Sequence, residues 1–176
     1  MKVLRHFTPL IVVAIALCGV GIAQDVHTDF DKHANFSQYR TYYWEKVQTS
    51  NPLWQQRIMD AVDKDLQAKG WQRVQSDGDV ALAAVGSTKT EEEYRTFYTG
   101  LGPRWYWRGF GPEATTTVET YRVGTLVLDM YDAHTNRLIF RGSASDSLSD
   151  KSDKNERKLE KSVDKMFEHF PPGMKE

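Results

Sequence analysis

Two stretches of the chain carry apolar side chains at helical spacing. Trp54, Ile58, Ala61, Val62 and Leu66 stand at offsets 0, 4, 7, 8 and 12, which draws one stripe along a helix. Asn51-Pro52 supplies a helix start, and Gly70 stands where a left-handed cap would end it. Leu159, Val163, Met166, Phe167 and Phe170 repeat the pattern at offsets 0, 4, 7, 8 and 11 before Pro171-Pro172 stops it. Burying five such side chains at roughly 1.5 to 3 kcal/mol each, before the entropy of ordering is subtracted, makes the second helix a core element. Opposite the first stripe, Asp60, Asp63 and Lys64 are expected to face solvent, while Asp65 falls nearer the apolar line.

The remaining patterned segments alternate or run apolar in short lengths, as strands do. Val26, Thr28 and Phe30 alternate, and Tyr39 to Trp44 is aromatic-rich; the polar Asp31 to Asn35 between them predicts a turn. A short strand is expected at Trp71 to Val74. Val80 to Val85 is apolar on both faces, the pattern of a covered central strand. Val118 to Val123 and Thr125 to Tyr131 predict two more strands, with Gly124 as a bend or bulge between them. Leu138 to Arg141 predicts a last one, after the turn Asp132 to Asn136, and Ser143 to Asn155 is a polar run. The element order predicts one α+β domain in two layers, a mainly antiparallel sheet of about six or seven strands with two helices packed on one face.

Two features stand outside this pattern. Lys2 and Arg5 precede a mostly apolar run from Phe7 to Ala23, the profile of a secretory signal peptide. Residues 1–23 are therefore expected to be removed, leaving residues 24–176 as the domain and the protein in the periplasm or outer envelope. Cys18, the only cysteine, lies within that run and offers a lipid anchor as a second route, but Leu17 replaces the small residue such a site prefers. Membrane attachment is expected only if Cys18 is lipidated. Either way the domain has no disulfide and must be held by its core. Loss of Lys2 and Arg5 leaves 21 basic against 24 acidic residues, so no basic face for nucleic acid is implied. The second feature spans about residues 94–117. There Tyr94, Phe97, Tyr98, Trp105, Tyr106, Trp107 and Phe110 are interleaved with Gly100, Gly102, Pro103 and Gly109, which reads as a long aromatic, glycine-rich loop or irregular hairpin.

Asp29-Phe30-Asp31, Phe36-Ser37-Gln38-Tyr39-Arg40-Thr41-Tyr42-Tyr43-Trp44 and the run from Gly124 to Ala133 form a joint pattern with Asn136 to Gly142 and Phe170-Pro171-Pro172. Together they resemble the bacterial family named domain of unknown function 4136, over nearly the whole of residues 24–176. The resemblance implies an exported, envelope-associated α+β domain, often a lipoprotein, and carries no catalytic residues with it.

Candidate chemistry is sparse. His27, Asp29, Asp31 and His33 are four potential zinc ligands spaced by two, which a continuing strand would project from one face. Positions i and i+2 lie about 6 to 7 Å apart along a strand, so a straight strand cannot bring all four to one ion, and a solvated face is the simpler expectation. The aromatic segment offers Trp105, Tyr106, Trp107 and Phe110 with Arg104 and Arg108 between them, residue types suited to stacking on an envelope protein, a peptide or a glycan. Packing of the same rings over the sheet is the competing expectation. Gly142-Ser143-Ala144-Ser145-Asp146 lacks the glycine spacing of a nucleophile elbow, and Gly100-Leu101-Gly102 lacks the rest of a dinucleotide loop. No cofactor is implied. The reading is an exported binding or structural module without enzymatic activity, and its alternative is a metal-assisted hydrolase on the His27 to His33 face.

Overall fold

The computed structural model describes residues 24–99 and 113–172. Its strands are β1 (Asp25–Phe30), β2 (Thr41–Thr49), β3 (Gln72–Arg73), β4 (Val80–Thr99), β5 (Glu113–Asp132) and β6 (Leu138–Ser147), with helices α1 (Pro52–Ala68) and α2 (Ser152–Met166). They form one sheet in the order β1-β6-β5-β4-β2-β3. The pairs β1/β6, β6/β5 and β5/β4 are antiparallel, whereas β4/β2 and β2/β3 are parallel. Parallel neighbours need a crossover, and α1 provides it between β2 and β4.

Both helices lie on one face of this sheet, which gives the two-layer α+β architecture. Asn51 caps α1 through its side chain, which accepts from the Leu53 amide at 3.0 Å, and Pro52 opens the first turn. The helix ends at Gly70, whose φ of +84° only glycine adopts without strain. Ile58, Ala61, Val62 and Leu66 meet Tyr42, Val80, Leu82 and Ala84 in the core. From α2 and its continuation, Val163, Met166, Phe167 and Phe170 are all buried. Phe170 is a hub, with its ring 5.2 to 5.7 Å from those of Phe36, Trp71, Phe140 and Phe167.

Several sequence expectations need correction. Residues 118–123 and 125–131 belong to one strand, and Gly124 pairs with Thr88 and Asp146 without a bulge. A Cβ at Gly124 would come within 2.8 Å of Leu148 Cδ2, so the glycine serves close approach of that side chain. The irregularities lie instead at Trp44/Lys46 and Met130/Tyr131. The polar run begins later than expected, because Ser143 to Ser147 continue β6 and bury Ala144 on the helix face. Strand β4 is central, but the helices cover only one of its faces, and Val85 on the other is exposed. Pairing of β4 with β5 also runs to Thr99 and Glu113, so residues 94–99 and 113–117 of the expected loop are backbone of the sheet.

Candidate functional site

The four candidate ligands are not brought together. His27 projects from the solvent face of β1 and pairs with Asp25 at 2.8 Å, and Asp29 accepts from its neighbour's amide, Phe30 N, at 2.9 Å. In register Asp29 sits beside Arg141, which makes a two-pronged bond to Asp129 at 2.6 and 2.6 Å. A guanidinium at that place opposes a metal cation. Strand β1 ends at Phe30, so Asp31 has left the strand: it binds Arg137 at 2.5 Å and accepts from the His33 amide at 2.8 Å. Among the described residues no group of three or more His, Cys, Asp or Glu is placed to hold a metal ion. The hydrolase alternative loses its site, because the alternation that aligned the four residues stops halfway through them. Arg104, Trp105, Tyr106, Trp107, Arg108 and Phe110 lie outside the described residues.

The strands that lead to that segment have a distinctive geometry. Strand β2 accompanies β4 only as far as Gly86, and β6 accompanies β5 only from Val123 onward. Lys89–Thr99 and Glu113–Arg122 therefore continue as a two-stranded ribbon, extending the sheet by roughly 35 Å at 3.3 Å per residue. Val118 and Tyr121 are exposed on it. Among the described residues, neither outer edge of the ribbon has a neighbouring strand, and the backbone of such an edge can template pairing with another chain.

One acidic group on α1 differs sharply from its expected exposure. Asp63 is only 7% exposed. Its Oδ1 accepts from the Tyr42 hydroxyl and the Trp44 indole N–H, both at 2.9 Å, and its Oδ2 accepts from Arg73 at 2.7 Å. The carboxylate thus joins α1 to β2 and β3, and burial together with this bond pushes the Tyr42 phenol above its ordinary range. On the other flank of α1, one Asp65 oxygen is buried without a hydrogen-bond partner. Burial first, and the negative charge of Asp164 on α2 second, raise its pKa to about 6 against partial relief from Lys64 and Lys69.

A raised carboxyl pKa makes the folded state hold a proton that the unfolded chain has released. This contribution to stability is complete below the ordinary value of 3.8 and is lost as pH rises through about 6. Asp65→Asn, which cannot ionise, is expected to melt a few degrees higher than wild type at pH 7.5, a gain of about 1 kcal/mol after allowance for partial exposure. The gap should close toward pH 4.5 in paired thermal scans. A gap of equal size at both pH values would show that the carboxyl does not titrate in this range.

A recess lies at the end of the sheet from which the ribbon departs. It is a cleft of about 250 Å³ between the N-terminal halves of α1 and α2, floored by Gly86, Gly124, Leu126 and Ala144. No described helix is long and apolar enough to cross a membrane.

No curated protein matches the chain. Among solved structures it is similar to a PDZ domain protein from Parabacteroides distasonis, with a TM-score of 0.58 and 13% identity over 86% of this chain and 37% of that one. The chain thus spans little more than a third of that protein. It is also similar to the PelC dodecamer from Paraburkholderia phytofirmans, with a TM-score of 0.50 and 11% identity over 82% of this chain and 95% of that one. At these identities the likeness concerns the fold alone. The model of the family described as Domain of unknown function (DUF4136) matches residues 26–172, most of the described sheet and both helices, and the chain belongs to that family.

Proposed function

We propose that this protein is an exported, non-enzymatic binding module of the bacterial cell envelope that presents the β4–β5 ribbon to an envelope protein, a peptide or a glycan. The observation that carries this reading is the ribbon itself. An isolated pair of strands is at best marginally stable in water, yet β4 and β5 continue paired beyond the last residue of every neighbour up to Thr99 and Glu113. Both strands lead directly into residues 100–112, where Arg104, Trp105, Tyr106, Trp107, Arg108 and Phe110 combine ring faces with guanidinium groups. That combination suits a recognition surface. Export is supported by Lys2 and Arg5 ahead of the apolar run from Phe7 to Ala23, with soluble release after Ala23 favoured over lipidation of Cys18.

The test is the double variant Trp105→Ala/Trp107→Ala, compared with wild type as bait in envelope extracts of the native host. The variant is expected to lose a partner that wild type retains, with its melting temperature unchanged. Quenching of tryptophan fluorescence by a soluble quencher should fall in the variant, because exposed indoles have been removed. If the variant melts several degrees lower and the wild-type rings are protected from quencher, the segment is packing and the recognition reading fails.

A further inference from the structure

We propose that the cleft between α1 and α2 binds a single-chain carboxylate amphiphile, a fatty acid of medium length. Its inner surface is hydrocarbon: Ile58 and Leu126 are buried at its base, and Trp54, Leu148 and Leu159 form the walls above them. Three polar side chains on the α2 side of the lining are already engaged. Lys158 Nζ donates to Asp146 at 2.9 Å and to the Ser147 carbonyl at 2.7 Å. Asn155 engages both the amide and the carbonyl of Ser149 at 2.7 Å, and Ser162 donates to the Lys158 carbonyl at 2.9 Å. Against the hydrocarbon base a sugar or peptide would give up hydrogen bonds to water, whereas an acyl chain has none to lose.

The rim supplies the charge. Arg122 reaches Asp150 at 3.0 Å, but Asp150 is fully exposed, so this ion pair contributes little and its guanidinium is open to exchange. A ligand carboxylate can take the place of Asp150, with the same charge-assisted geometry, while the tail lies over the glycine floor. At roughly 30 Å³ for each water-sized group, 250 Å³ holds on the order of eight heavy atoms of chain. That length points to octanoate. The site is separate from the ribbon tip and stands or falls independently of the function proposed for it.

The exported protein, stripped of bound lipid on a hydrophobic resin, should bind octanoate saturably at one site by titration calorimetry. Thr88 lines the cleft and is exposed, so Thr88→Trp should fill the space with an unchanged melting temperature and weaken octanoate at least tenfold, about 1.4 kcal/mol. Arg122→Gln should weaken octanoate by roughly tenfold and leave 1-octanol unaffected. Should Thr88→Trp prove unstable, Leu159→Phe narrows the same wall and must also weaken binding. Absence of saturable octanoate binding, or binding indifferent to the filling variant, overturns the site. Octanol matching octanoate in both wild type and Arg122→Gln overturns the carboxylate assignment. Capture of phosphatidylglycerol vesicles without octanoate binding would give the cleft to membrane lipid and overturn the free acid.

Discussion

Phe167→Asp is expected to show no cooperative thermal transition, and Val163→Asp to behave in the same way. Both side chains are almost wholly buried beneath α2. Phe167 stacks on Phe140 with ring planes 10° apart and meets Phe170 edge-on, so its removal takes apart the aromatic cluster as well as one contact. Losing a buried phenylalanine costs about 3 to 5 kcal/mol, and an unpaired carboxylate in its place adds several more. A domain of this size holds about 5 to 15 kcal/mol in total, which the two losses together approach. Far-UV circular dichroism on heating measures the outcome. Lys161→Ala, on the exposed side of α2, should melt within a degree or two of wild type; near-native melting of both aspartate variants would mean that α2 is not docked on the sheet.

The two helices were legible because an amphipathic stripe needs no knowledge of its partner. Four of the five residues in the first stripe are buried and Trp54, the fifth, is half-buried at the cleft. Strand limits were less legible, since glycines and mixed polarity mean different things in different surroundings. Gly124 reads as a break until Leu148, which folds across it, is known. Residues 113–117 fall within the segment that its glycines and Pro103 mark as a loop, although Thr115, Thr116 and Thr117 are β-branched and suit a strand. That run was the available signal for a longer ribbon. The cleft left no trace in the pattern, because its floor is made by what Gly86, Gly124 and Ala144 lack.

The same reasoning explains the misplacement of Asp63. A helical stripe locates the face turned to the sheet, yet α1 is also flanked by the end of β2 and by β3, and burial there depends on tertiary packing. A sequence clue existed in Tyr42 and Trp44. They share one face of β2 two residues apart, each carries a ring with a single polar donor, and a buried donor requires an acceptor. Asp65 was the reverse case: its position near the stripe was visible, but the cost it brings arises first from burial in the packed fold and then from Asp164, nearly a hundred residues away.

Removal of the Asp63 carboxylate is expected to be the most damaging polar change. Asp63→Ala leaves the Tyr42 hydroxyl and the Trp44 N–H without their acceptor and Arg73 without its counter-charge. Each stranded buried donor costs about 1 to 3 kcal/mol. Arg73 is partly exposed and recovers water, so the expected loss is about 3 kcal/mol, with the midpoint of urea unfolding moving down at constant slope. Tyr42→Phe removes one donor and its desolvation together and should cost only about 1 kcal/mol. Arg73→Met is the sharper probe, because it leaves the carboxylate buried with two neutral donors and no cation, a situation worth up to about 3 kcal/mol. Since Asp63→Ala already idles Arg73, the double variant Asp63→Ala/Arg73→Met should lose clearly less than the two single losses added. Additive losses would show that the 2.7 Å contact carries no energy in solution, and that Asp63 holds α1 to the sheet through Tyr42 and Trp44 alone.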